Sequence, residues 1–283
     1  MTDTLATASA AGTIEGEDWA TAALTAPARV VNQCQIFGKN IAVTETERAE
    51  NPAGFGDAYA YQLEKGTKET MRNIEKTLMA TVTATAGASA TARVMKTLED
   101  FITTTAKNST YYTGQAAVAA STCPAVFNAA DVNRVLDAIW TLGGNTDLIV
   151  MGGAYKRLFS TFTGANAGNN IRNVLATDKK LVVGIDVYDS DFGLIPIQLN
   201  RWSPVATNTA TATASATGIS DLTGRIWFLQ RSVCRIAWLR SLQHRLMGTR
   251  GDSTVGQIRA ECTLEVGNEK ALGVFKGVNN IFA

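Results

Sequence analysis

The chain has 283 residues, 46% hydrophobic and 18% charged, which is enough apolar material for one large domain or two interleaved ones. Its 26 basic and 25 acidic residues leave a net charge of +1 with no dense Lys/Arg run. That argues against a protein that grips nucleic acid electrostatically, and no stretch approaches the ~18 apolar residues of a membrane span.

Residues 1–26 are rich in Ala, Thr and Gly around an acidic cluster at Glu15, Glu17 and Asp18, and they read as an extended, exposed segment. The start, MTDTLATASAAG, has no basic n-region and no apolar h-region, so a cytoplasmic protein without a secretory leader is expected. Val31, Gln33, Gln35 and Phe37, followed by Asn40 to Thr44, predict two strands joined near Gly38. Asn51-Pro52-Ala53-Gly54 breaks the pattern. A long helix is expected over 57–79, with Asp57 as its cap and Tyr59, Leu63, Met71, Ile74 and Leu78 on its apolar face. At ~1.5 Å per residue such a helix is roughly 34 Å long. Gly66 costs it up to ~1 kcal/mol relative to Ala.

The Ala/Thr/Gly tract 80–92 reads as loop or weak strand, and a helix over 93–104 would use Val94, Leu98, Phe101 and Ile102. After a polar loop, a helix is expected over 129–142, capped by Asn128 and stopped by Gly143, with Val132, Val135, Leu136 and Ile139 inward. Residues 147–151 form a continuous apolar strand, and Gly152-Gly153 turns it into a short helix through Phe162. This alternation suggests an α/β subdomain. Strands at 181–188 and 194–199 flank a turn at 189–193, and a second Ala/Thr tract covers 205–218. The rest is β-rich, at 225–229, 233–239, 255–266 and 271–278, with Gly267-Asn268 suited to a hairpin turn between the last two.

Chemistry is sparse along this pattern. His244 is the only histidine, which excludes a multi-His metal site and leaves little for a His-based dyad. Cys34, Cys123, Cys234 and Cys262 include no CxxC pair and read as small core hydrophobes. Asp191-Phe192-Gly193 spells the kinase metal-binding tripeptide, but the Gly-rich loop, strand lysine and catalytic loop are missing, so it reads as a turn. Arg250-Gly251-Asp252 likewise reads as a turn tip, and Gly152-Gly153 fits neither phosphate-loop pattern. Asp186, Asp189 and Asp191 form the one carboxylate group that could hold a divalent cation or serve acid–base work.

Five segments carry a resemblance: NQCQIFGKNIAVTETERA (32–49), DAYAYQLEKGTKETMRNIEKTLM (57–79), GGNTDLIVMGGAYKRLFSTFTG (143–164), VVGIDVYDSDFGLIPIQLNRW (182–202) and GTRGDSTVGQIRAECTLEVGNEKALGVFKG (248–277). Together, in this order, they resemble the major capsid proteins of tailed bacteriophages. The resemblance implies a mixed α+β, Hong Kong 97-like (HK97-like) capsid fold. Residues 1–53 would then be an N-terminal extended segment and E-loop hairpin, ordered mainly by neighbouring subunits. Residues 54–124 would hold the spine helix and part of the peripheral domain, 125–204 the axial domain, and 205–283 the return through the peripheral domain.

The implied role is a non-enzymatic shell subunit, without cofactor or metal, that forms pentamers and hexamers by heterologous contacts. Its partners would be further copies, portal, scaffold or decoration proteins, and enclosed double-stranded DNA, with no membrane. Candidate contacts between copies are Arg250 and Asp252, at a tip spanning 248–253 and pairing across a three-fold axis, together with Lys39, Arg48 and Glu50. Relatives carry a longer N-terminal arm ahead of the region matching Met1, so cleavage or a late start is expected. The alternatives are an encapsulin-like nanocompartment, or a small metal-dependent enzyme using Asp186, Asp189 and Asp191.

Overall fold

The computed structural model describes residues 15–16, 30–50, 56–80, 82–103, 106–108, 129–160, 186–203 and 224–276. In chain order the elements are β1 (Gln35–Thr44), α1 (Glu45–Ala49), α2 (Ala58–Leu78), α3 (Leu98–Phe101), β2 (Ala106–Asn108), α4 (Ala129–Thr141), β3 (Leu148–Met151) and α5 (Gly153–Phe159). They continue with β4 (Val187–Ser190), β5 (Gly193–Leu199), β6 (Arg225–Leu229), β7 (Cys234–Leu246), β8 (Ser253–Val266) and β9 (Gly273–Lys276). One sheet has the order β1-β8-β7 and the other β2-β9-β6-β3-β5-β4. Candidate features at Asn128, Cys123, Phe162, 181–185 and 205–218 lie outside the described residues.

Asp57 takes an extended conformation and its carboxylate accepts from the Tyr59 N–H at 3.1 Å, which starts α2 as expected. The buried stripe is Tyr59, Gly66, Thr70 and Ile74, with Met71 half-exposed instead of inward. The stripe lies on the face of β8 that carries Gly256, Ile258, Ala260, Cys262 and Leu264. Gly66 is where helix and sheet come closest. A Cβ there would lie 2.9 Å from Ile258 Cδ1 and 3.1 Å from Ile41 Cδ1. The glycine costs helix propensity and gains close packing.

Three expectations are corrected in and beside this sheet. Gly38 is no turn: β1 runs straight through it, and all ten of its residues pair with β8, from Gln35↔Cys262 to Thr44↔Ser253. The described residues 30–50 are therefore held by their own chain, with Phe37, Ile41 and Val43 buried against it. The expected helix over 93–104 shrinks to α3, because 85–94 form an antiparallel bridge that keeps the backbone extended.

The six-stranded sheet forms the second body of core. Every residue of β6 is buried, and it alternates between two clusters. Ile226 and Phe228 pack with Val132, Val135, Leu136, Ile139, Tyr155 and Phe159 from α4 and α5. Trp227 and Leu229 pack with Leu98, Phe101, Ile102, Leu272 and Val274. The inward face of α4 is thus the expected one, and Gly143, at φ 84°, ends it. Gly267-Asn268 does not turn a hairpin. Asn268 caps a short 3-10 turn at 3.0 Å, and β9 crosses to the other sheet, where it lies between β2 and β6. The bidentate Arg225–Glu99 pair, at 3.0 and 3.1 Å, ties β6 to α3.

Candidate assembly surface at the long hairpin

β7 and β8 form a hairpin whose tip, 247–252, projects past the sheet. Gly251, at φ 63°, supplies the left-handed residue that the turn requires. Arg250 N–H donates to Ser253 O at 3.1 Å and Ser253 Oγ to Arg250 O at 2.7 Å. The Arg250 guanidinium is exposed and forms no ion pair among the described residues.

Asp252 is committed within its own chain. Its carbonyl accepts from Glu45 N–H at 2.8 Å and its carboxylate from Thr46 Oγ1 at 3.0 Å. Arg48 reaches Asp57 Oδ1 at 3.3 Å and Thr254 Oγ1 at 3.4 Å. Thr44 Oγ1 caps α1 by accepting from Glu47 N–H. The helix α1 is therefore a brace that fastens the hairpin tip to the start of α2. Of the candidate contact residues, the fold brings Arg48 and Asp252 together beside the tip that carries Arg250. Glu50 is exposed at the C-cap of α1. Lys39 is elsewhere: it pairs with Glu69 of α2, opposite Ile258 in the register.

The hairpin also carries a surface that residue types alone did not single out. Ile236, Trp238 and Leu246 pair with Leu264, Cys262 and Gly256, so they point to the α2 side of the sheet. Their β8 partners are buried, yet Trp238 is 42% and Leu246 62% exposed, as are the neighbouring Leu239 (63%) and Met247 (49%). α2 covers β1 and β8 and leaves this margin open. The alternation over 234–246 shows a half-apolar strand but cannot show that its cover stops short. On the opposite face, Glu261 is buried between Arg93, at 3.3 Å, and Arg240, whose Nε lies 3.0 Å from Oε2 without hydrogen-bond alignment.

The other candidate chemistry is dispersed. Asp186 pairs with Lys156, Asp189 lies on β4 and Asp191 in the β4–β5 turn. Among the described residues no group of three or more His, Cys, Asp or Glu side chains could hold a metal ion. His244 Nε2 shares a 2.7 Å hydrogen bond with Tyr59 OH. Burial pushes the Cys234 thiol up to about 11, helped by the charge of Asp147, and pushes Cys262 up to about 11 as well. Cys34, Cys234 and Cys262 are free thiols. No helix among the described residues is long and apolar enough to cross a membrane.

A family model described as SU10 major capsid protein matches residues 1–279. The chain belongs to this family. It is thus a phage head-shell protein, and the uncovered hairpin belongs to a subunit of a multimeric capsid. No curated protein matches the chain. Among solved structures, it resembles the SrpI encapsulin of Synechococcus elongatus PCC 7942, with TM-score 0.57 and 11% identity over 88% of this chain and 75% of that one. The cyanophage Pam1 capsid gives TM-score 0.52 and 13% identity over 87% and 75% of the two chains. The capsid of an empty GTA particle gives 0.52 and 14% over 92% and 80%. At these identities the likeness is one of fold, and it makes the capsid protein a mixed α+β member of the Hong Kong 97-like capsid fold. The encapsulin likeness shares that fold, whereas the family match points to a phage head.

Proposed function

We propose that this capsid protein assembles with copies of itself into pentamers and hexamers, which close in the host cytoplasm into a phage head around double-stranded DNA. The match to the major capsid family over residues 1–279 carries this reading. It agrees with the open apolar margin of β7, since a patch of this kind marks a surface meant for contact. α2 serves as the spine helix, the β1-β8-β7 sheet as the peripheral domain, and the α4-β3-α5-β4-β5 region as the axial domain. Catalysis has no part in this role, because geometry and buried area do the work. Portal, scaffold and decoration proteins are the further partners. Arg250 remains a contact candidate, as its guanidinium is exposed on a braced tip.

Negative-stain microscopy with sedimentation of the purified chain tests the reading. Rings or closed shells are expected. A stable monomer of 30.1 kDa at high concentration, across salt and pH, would overturn it.

A further inference from the structure

A helix turns about 100° per residue. Lys65, Lys68, Arg72 and Lys76 of α2 therefore fall within an arc of about 80°, and all four are exposed. The arc lies almost opposite the buried stripe of Tyr59, Gly66, Thr70 and Ile74, so it faces away from the sheet. The three carboxylates of α2 are each engaged inside the chain. Glu64 pairs with Lys68 and Glu69 with Lys39, while Glu75 Oε1 accepts from Asn200 Nδ2 at 2.8 Å. The Arg72 guanidinium lies 5.4 Å from the centre of the Trp202 ring, and the exposed Arg201 precedes that tryptophan. Lys65, Lys76 and Arg201 form no ion pair among the described residues. The fold thus gathers a cationic strip, about 16 Å long from Lys65 to Lys76 at ~1.5 Å per residue, which Arg201 extends from a separate segment of the chain.

We propose that this strip lies against the phosphate backbone of the enclosed duplex, so that the α2 face of the subunit is its lumenal face. The inference rests on the shell reading, since only a shell around DNA has such a face. DNA in a container keeps no fixed register with any one subunit, so the contact must accept phosphates wherever they fall. Lysine ammoniums on flexible stems are point charges that can follow them. The other cationic surface is of a different kind. Arg235, Arg245 and Arg259 stand, by their register, on the sheet face away from α2. Their planar forks reward partners held at fixed positions, and they adjoin the edge of β7, which pairs with no strand among the described residues and suits a protein neighbour. The charge of the α2 strip is modest, with Glu64 and Glu75 at its flank. That too fits a container. Each phosphate neutralised releases counterions, and a strip repeated on every subunit holds DNA through many weak contacts that salt loosens, without a dense basic run in the sequence.

The first test compares lysine acetylation, read by peptide mass spectrometry, in DNA-filled heads and in the same heads after DNA release. Lys65, Lys68 and Lys76 should react several-fold less in the filled heads, and formaldehyde should join their peptides to DNA. In a second arm the full chain assembles with a short fluorescent duplex, and nuclease removes the DNA left outside. Lys65→Gln with Lys68→Gln and Lys76→Gln should form shells, with the melting temperature of the subunit unchanged, yet trap several-fold less duplex. The slope of log trapping against log salt should flatten by about 2–3 for the three charges removed. Arginine at the same three positions should trap as the unaltered chain does. Equal acetylation of filled and emptied heads, or full trapping by the glutamine variant, would overturn the inference and leave the shell reading intact. So would failure of that variant to assemble, which would assign the strip to contacts between copies. Loss of trapping from Arg245→Gln instead would move the DNA contact to the opposite face and also overturn it. If the unaltered chain forms no shells, the shell reading itself fails and the inference with it.

Discussion

Gly256 stands so close to α2 that a Cβ there would lie 1.9 Å from Tyr59 OH and 2.7 Å from His244 Nε2. The glycine makes room for the Tyr59–His244 hydrogen bond. Gly256→Ala should destabilise the subunit by about 1–3 kcal/mol through overpacking, and Tyr59→Phe by about 1 kcal/mol through the lost bond. The double variant should cost less than the sum, because removing the hydroxyl opens the space the methyl needs; urea denaturation midpoints measure all three. The buried thiols set a second expectation. Unfolded cysteines ionise near 9.0, while Cys234 and Cys262 hold their protons to about 11 in the folded chain. Between these values the unfolded state binds fewer protons, so their contribution is complete below pH 9 and lost as pH rises towards 11. Stability curves from pH 8 to 11 should fall less steeply for Cys234→Ala with Cys262→Ala than for the unaltered chain.

The β7–β8 hairpin is held by an asymmetric ion cluster. Glu261 is only 2% exposed, whereas Arg93 and Arg240 have half-exposed side chains that water can reach. Arg93→Ala with Arg240→Ala leaves a buried carboxylate unpaired and should cost roughly 3 kcal/mol or more. Glu261→Gln leaves two arginines free to turn to solvent and should cost clearly less, and chemical denaturation of the two variants compares them. Elements of this kind were unequally legible in the sequence. The helices α2 and α4 follow from local periodicity, the strand β3 from its continuous apolar run, and the turn between β4 and β5 from its glycine and acids, although Asp189 and Ser190 prove to belong to β4. The destination of a strand is not local information. Gly38 and Gly267-Asn268 look like turns, yet β1 finds its ten partners more than 200 residues away and β9 leaves for the other sheet. The tip was legible as a turn. The hold of Thr46 on Asp252 was not, because it joins residues 206 apart. The open margin of β7 escaped notice because the pattern of a strand says which face is apolar, not where the covering helix stops.

At the scale of the whole capsid protein, the tryptophans report which surfaces assembly covers. Trp227 is fully buried, while Trp140 is 63% exposed and Trp238 nearly half exposed. Acrylamide quenching should fall when shells form, and Trp238→Phe should shrink that fall; equal quenching before and after assembly would show that the hairpin margin stays open to water. Another consequence follows from the way the strands interleave. β8 is the middle strand of one sheet, and β9 lies between β2 and β6 in the other. A ribosome that has not yet released residues 253–276 therefore holds a chain with neither sheet complete, however long ago its helices emerged. Pairing across such sequence separations is slow and waits for the distant strand. The specific surfaces by which the subunit meets its neighbours are therefore complete only after these residues leave the exit tunnel, so ordered assembly belongs to the released chain.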